Sequence, residues 1–263
     1  MGNKCGTNIG NQFIIRGYVM IGQENLHNTI DKIINTFPRF SIIEGPKGSG
    51  KRTIAKEICS KLKLPMFTYG ISIEDVRNAI NMAQERFEPY CYFFPDADNM
   101  SVGAKNALLK VTEEPPKNAY FMLTLISKSS TLETILSRGS LLTLDPYTKQ
   151  ELISYRKYRQ YGDSFDEVIG DVCSNTGEVD ELFACDIPAF YGFAKNIVQN
   201  IHIPTTGNIF KISKQIKASV GDSGYDGVLL FKAIRSLYIK KALETGKKQY
   251  LLASNVTTLN SKL

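Results

Sequence analysis

The sequence predicts an α/β fold: a central parallel sheet with helices on both faces, then a small helical lid domain and a short helical C-terminal segment. Three observations predict it. A glycine loop, Gly45-Pro46-Lys47-Gly48-Ser49-Gly50-Lys51, stands between an apolar run and an apolar helix pattern. Short continuous apolar runs alternate with helical spacing as far as Ile126, as strands buried on both faces require. After Leu142 the apolar positions follow helical periodicity alone.

Taken in order, Leu26, Ile30, Ile33 and Ile34 space a helix over 24–36, and Phe40 to Glu44 is a strand that feeds into the glycine loop. Ile54, Ala55, Ile58 and Leu62 carry the following helix to Lys63, where Pro65 marks its stop. Met66 to Tyr69 reads as a strand, Ile73 to Phe87 as a helix, and Tyr90 to Phe94 as a buried strand. Ser101 to Thr112 is helical and ends at Glu113-Glu114-Pro115-Pro116; Ala119 to Ile126 is the next strand. Helices are expected over 148–159, 163–174, 178–184 and 187–200. Pro204 to Gly207 reads as a linker, and Tyr225 to Leu243 as an amphipathic helix. The expected domains are therefore 1–145 (α/β), 146–203 (helical lid) and 204–263 (short basic helical segment).

At 263 residues and 43% hydrophobic, the chain is long enough to bury a sizeable core. No apolar run approaches a membrane span, so no membrane partner is expected. Cys5, Cys59, Cys91, Cys173 and Cys185 show no paired spacing, which argues for buried free thiols and against zinc. The net charge of +6 is uneven: from Ile203 onward ten lysines and arginines face only Asp222, Asp226 and Glu244. Such a segment suits a phosphate backbone, an acidic partner or a solvated helix face.

The glycine loop carries the chemistry. Its backbone N–H groups and Lys51 cradle nucleotide phosphates, and the next residue must offer a hydroxyl to Mg²⁺. Here that residue is Arg52, which has no lone pair for a metal, and Thr53 points about 100° away on the helix. Gly45, Gly48, Ser49, Gly50, Lys51, Arg52 and Thr53 are the candidate nucleotide residues. ATP or ADP is the candidate ligand, held without Mg²⁺, and no metal ligands are proposed. His27 and His202 stand too far apart in sequence, with too few candidate partners nearby in the sequence, to be proposed as catalytic or metal residues.

Read together, these segments resemble the clamp-loader branch of the AAA+ ATPases, and within it the delta-prime subunits of bacterial DNA polymerase III, in a compact or phage-like form. Ile21-Gly22-Gln23-Glu24 resembles the family's box beside the adenine pocket, which adds Ile21 to the nucleotide residues. Asp96-Ala97-Asp98-Asn99-Met100, then Asn106 to Lys110 and Glu113 to Pro116, form the most specific stretch. Ser137-Arg138 matches the Ser-Arg-Cys motif, with Gly139 replacing the cysteine.

The resemblance implies a subunit that hydrolyses little ATP itself. Pro95 occupies the metal-aspartate position, Asp96 stands for the catalytic glutamate, and the polar sensor falls back to Thr124. Asp180 stands where hydrolytic relatives carry a lid arginine, and would repel a γ-phosphate. Ser137 and Arg138 remain intact, implying catalysis in trans on a neighbour's ATP. The implied partners are other clamp-loader subunits, a sliding clamp and primed DNA, in the cytoplasm of a bacterial or phage-infected cell near the nucleoid. Two alternatives stay open: an independent P-loop ATPase or phosphotransferase using Thr53 or Asp98, and a DNA-binding adaptor using the basic tail. Asp98 is expected to cap the helix from Ser101, and Glu113 and Glu114 to form a solvated helix end.

Overall fold

The structure is a computed structural model that describes residues 12–15, 18–200, 214, 226–248 and 250–251. Contacts divide the chain into two compact units, Met1–Pro146 and Tyr147–Leu263.

The first unit opens with an antiparallel pair, β1 (Gln12–Ile15) and β2 (Tyr18–Ile21). Helix α1 (Glu24–Ile33) follows, and Ile34–Thr36 continues it as one 3-10 turn. Then come β3 (Phe40–Glu44), α2 (Lys51–Lys61), β4 (Met66–Thr68), α3 (Ile73–Glu85) and β5 (Tyr90–Phe94). Helix α4 (Val102–Glu113), β6 (Ala119–Leu125), the four-residue α5 (Glu133–Leu136) and β7 (Ser140–Thr143) complete it. Strands β4, β5, β6, β3 and β7 lie in that order in one all-parallel sheet.

The period of two sends alternate residues of each strand to opposite faces. On one face Phe40, Ile42, Tyr92, Phe94, Phe121 and Leu123 bury against Val76 and Ala79 of α3, Leu108 of α4 and Ile135 of α5. On the other, α2 lies against β3 and β6, with Ile54, Ala55 and Ile58 fully buried. Local chemistry sets the starts of the helices. Ser72 and Asp75 form a reciprocal capping box for α3, and the Ser101 hydroxyl accepts from Ala104 N to start α4. This register brings the carboxyl ends of β3, β5, β6 and β7 to one edge of the sheet, the edge where such sheets bind ligands.

The second unit contains α6 (Lys149–Tyr158), α7 (Asp166–Val172), α8 (Thr176–Phe183), α9 (Ile187–Asn200) and α10 (Gly227–Thr245). Among the described residues, Leu152, Ile169, Leu182, Phe190, Leu230 and Ile234 belong to one apolar cluster. The division expected between residues 203 and 204 lies outside the described residues, as does the linker at Pro204 to Gly207. Helix α10 shares the cluster with α7 and α9. It is less amphipathic than its spacing implied, because Val228 and Leu243 are apolar yet exposed.

Candidate functional site

The loop from Gly45 to Gly50 connects β3 to α2 and is shaped by two left-handed glycines, Gly48 at φ 77° and Gly50 at φ 96°. Such angles favour glycine strongly, and Gly50 is the residue from which α2 starts. Gly45 is constrained by space instead: a Cβ there lies 2.8 Å from Ser49 Oγ and 3.2 Å from Leu144 Cβ. Ser49 Oγ donates to the Pro46 carbonyl at 2.8 Å, closing the loop on itself.

Lys51 is buried and folds back into this loop, its Nζ donating to Gly45 O at 2.6 Å and Pro46 O at 2.8 Å. Burial pulls its pKa below the ordinary value, and the charges of Asp96 and Asp98 oppose that shift. Lysine and both aspartates thus belong to one electrostatic neighbourhood. Arg52 is exposed, with its guanidinium 5.8 Å from the centre of the Phe93 ring, and Thr53 is half-buried on the first turn of α2. Ile21 ends β2 and is buried. Beside it, Gln23 makes a two-point clamp: its Nε2 donates to Asp145 O, and its Oε1 accepts from Asp145 N, both at 2.7 Å.

Two positions beside the cradle offer a magnesium ion no side-chain oxygen. Arg52 is a cation, and Pro95 has no side-chain donor for a metal. Asp96 is exposed in a left-handed conformation, at φ 53° and ψ 40°, and its backbone N donates to Thr124 Oγ1 at 2.9 Å. Thr124 is itself buried, so the sensor candidate orders the turn after β5. Loop amides and Lys51 suit a phosphate, whereas neither Arg52 nor Pro95 offers Mg²⁺ an oxygen. Among the described residues no cluster of three His, Cys, Asp or Glu side chains is arranged to hold a metal ion.

Asp98 does not cap α4; Ser101 does. Both Asp98 oxygens accept from Ile126 N at 2.9 Å, and Ser130 Oγ donates to Oδ1. The carboxylate is occupied in tying the end of β6 to the turn at 128–130. The reason is geometric: the 3-10 turn at Ala97–Asn99 carries Asp98 toward β6 rather than toward the helix.

Ser137 and Arg138 occupy a different locality. Ser137 Oγ donates to Thr134 O at 3.1 Å, and both residues are exposed at the end of α5. Arg138 Nη1 donates to Thr134 O at 2.6 Å, and Nη2 donates to Glu113 Oε1 at 2.5 Å. Glu113, the last residue of α4, is thus an ion-pair partner rather than merely a solvated helix end. Sequence reasoning missed this contact because 25 residues separate the two. Gly139 is fixed by packing: a Cβ there lies 2.7 Å from Ile42 Cδ1 and 2.9 Å from Phe40 Cε1, so the family's cysteine has no room.

In the helical unit, Asp180 accepts from Tyr155 OH at 2.8 Å and Tyr161 OH at 2.9 Å, with Arg159 Nε 3.6 Å away. Burial and then the bond to Asp180 push the Tyr155 phenol up. Asp180 therefore anchors its own unit. Three of the ten basic residues of the tail are similarly engaged. Lys232 pairs with Glu178 at 2.5 Å, and Lys240 pairs with Glu167 and Asp171 at 2.8 and 2.6 Å. Lys241 sits 5.1 Å from the Tyr250 ring centre. His27 Nδ1 lies 2.9 Å from Glu57 Oε1, with both residues buried between α1 and α2, whereas His202 lies outside the described residues.

Residues 68–148 match the family model described as "DNA polymerase III, delta subunit", a stretch that contains the β5 turn, α4 and the Ser137-Arg138 corner. The chain resembles the clamp-loader group of AAA+ proteins. One such relative is DNA polymerase III subunit tau of Bacillus subtilis (strain 168), 24% identical over 167 residues, covering 51% of this chain and 30% of the relative. Another is replication factor C small subunit 2 of Pyrobaculum islandicum, 29% identical over 129 residues, covering 43% of this chain and 40% of the relative. This chain therefore spans well under half the length of either. Among solved structures, a point variant of Thermotoga maritima RuvB superposes with a TM-score of 0.54 at 16% identity, covering 89% of this chain and 88% of that one. At that identity the likeness supports the AAA+ fold alone. No helix among the described residues is long and apolar enough to cross a membrane.

Proposed function

We propose that this chain is a clamp-loader subunit of a DNA-replication machine that lends Arg138 to ATP bound by a neighbouring subunit and hydrolyses little ATP of its own. The observation that carries the reading is an asymmetry within one unit. At the end of α5, Arg138 carries a planar, permanently charged guanidinium at a partly exposed position, the group that best stabilises charge developing on a transferring phosphoryl group. At the chain's own loop the phosphate cradle persists, while Arg52 and Pro95 remove both protein ligands for the metal. ATP or ADP without Mg²⁺ is the ligand that this loop suits. The partners are other clamp-loader subunits, with a sliding clamp and primed DNA as the objects of the assembly.

The independent-ATPase alternative loses its candidate carboxylate, because Asp98 is bonded to Ile126 and Ser130. The adaptor alternative loses part of its basic surface, because Lys232 and Lys240 are paired internally. Two measurements test the proposal. The isolated chain is expected to show negligible Mg²⁺-dependent ATP turnover; robust turnover that Lys51→Ala abolishes would overturn the reading. Co-purification from the native source is expected to yield ATP-binding partner subunits whose hydrolysis falls on Arg138→Ala without loss of assembly.

A further inference from the structure

From the contacts of Arg138 we infer that Glu113 is a latch, stowing the finger against its own subunit and restraining its reach toward a neighbour. The inference rests on the trans-acting role proposed above for Arg138. A finger that stabilises charge on another subunit must extend away from its own backbone. Here the side chain curls back: Nη1 donates to the carbonyl of Thr134, four residues earlier, and Nη2 donates to Glu113 Oε1. These two contacts come from different elements, α5 and the last residue of α4, so they fix the guanidinium in direction as well as position.

Charge makes Glu113 more than a passive support. A carboxylate 2.5 Å from the guanidinium cancels part of the field the finger would present to a triphosphate, and it would repel the incoming phosphate oxygens. The pair is also weak enough to open. The Arg138 side chain is 31% exposed and that of Glu113 55%, and exposed pairs of this kind shift an equilibrium only modestly. A neighbour's phosphates, carrying more negative charge than one carboxylate, compete for the same N–H groups. The stowed state thus lowers the fraction of competent fingers in the free subunit and yields on assembly around ATP.

Glu113→Gln keeps the side-chain shape and removes the charge, which makes it the informative variant. In the assembled complex with its ATP-binding partners, it is expected to raise the Arg138-dependent hydrolysis rate at sub-saturating subunit concentration by about 1.4- to 5-fold, the range that loosening an exposed pair allows. The gain is expected to shrink as salt is raised, because a screened pair holds less. Arg138→Ala must erase it in both backgrounds. On the isolated full-length chain, NMR of the arginine side chains is expected to show faster rotation of the Arg138 guanidinium in Glu113→Gln than in wild type. An unchanged or lower rate in Glu113→Gln, with Arg138→Ala still damaging, overturns the latch and leaves the finger standing. Unchanged guanidinium rotation also overturns it. If Arg138→Ala itself has no effect on the complex, both the finger and the latch fall.

Discussion

Gly139 offers a sharp test of how the Ser137-Arg138 corner is held. Adding only a Cβ, as in Gly139→Ala, places carbon 2.7 Å from Ile42 Cδ1 and 2.9 Å from both Ile42 Cγ1 and Phe40 Cε1. Ile42 is fully buried and Phe40 nearly so, which leaves neither side chain an open direction in which to retreat. Overpacking of this kind costs about 1–3 kcal/mol. For a protein of this size, each kcal/mol moves the midpoint by about 2–4 °C, so thermal unfolding followed by circular dichroism should show a loss of roughly 2–12 °C. Ile42→Val removes the closest atom, Cδ1, and by itself costs about 0.5–1.5 kcal/mol. If the clash is real, the double variant must be more stable than the two single losses predict, with a coupling of about 0.5 kcal/mol or more in a double-mutant cycle. Additive losses, or a Gly139→Ala protein that melts with wild type, would refute the claim that this packing fixes the corner.

Two further predictions concern the phosphate loop and the helical unit. Any stabilisation of the chain by ADP is expected to be the same with Mg²⁺ as with a chelator, and to vanish in Lys51→Ala; at 100 times Kd it amounts to about 2.7 kcal/mol, read as a thermal shift. A shift that requires Mg²⁺ contradicts the reading of Arg52 and Pro95. Lys240 holds the Glu167 carboxyl below its ordinary value of 4.5, first by a hydrogen bond and then by charge. That contribution is present above pH 4.5 and is lost as pH falls through the depressed value. Lys240→Met should therefore flatten the acid limb of the stability–pH curve, and an unchanged limb would show that the pair does not couple to folding.

The parts of the fold legible in the sequence are those whose pattern is local. Phe40–Glu44, Tyr90–Phe94 and Ala119–Leu125 are largely apolar runs in strands buried on both faces, and they are found within a residue of the expected limits. Helix starts are equally visible where Ser72, Ser101 or Thr148 accepts a backbone N–H as a cap. Strand β7 carries no such signal. Its four residues, Ser140–Thr143, are apolar only at Leu141 and Leu142, and it is defined by pairing with β3 about a hundred residues earlier. The site divides in the same way. The loop glycines and Lys51 announce themselves through residue type and spacing, and Ser137-Arg138 only through the resemblance to the Ser-Arg-Cys motif. The Glu113–Arg138 pair, the Asp98–Ile126 bond and the Asp180–tyrosine anchor are long-range contacts that no local pattern encodes.

The central claim is that catalytic charge leaves this subunit at Arg138 rather than acting at Lys51. The most direct measurement compares Arg138→Ala with Lys51→Ala in the assembled complex, scoring steady-state ATP hydrolysis after confirming that both variants assemble. A large loss is expected for Arg138→Ala at the neighbour's site, toward the ~10³-fold or more that arginine fingers supply, with a rate near wild type for Lys51→Ala. The opposite pattern, hydrolysis that survives without Arg138 and collapses without Lys51, would contradict it.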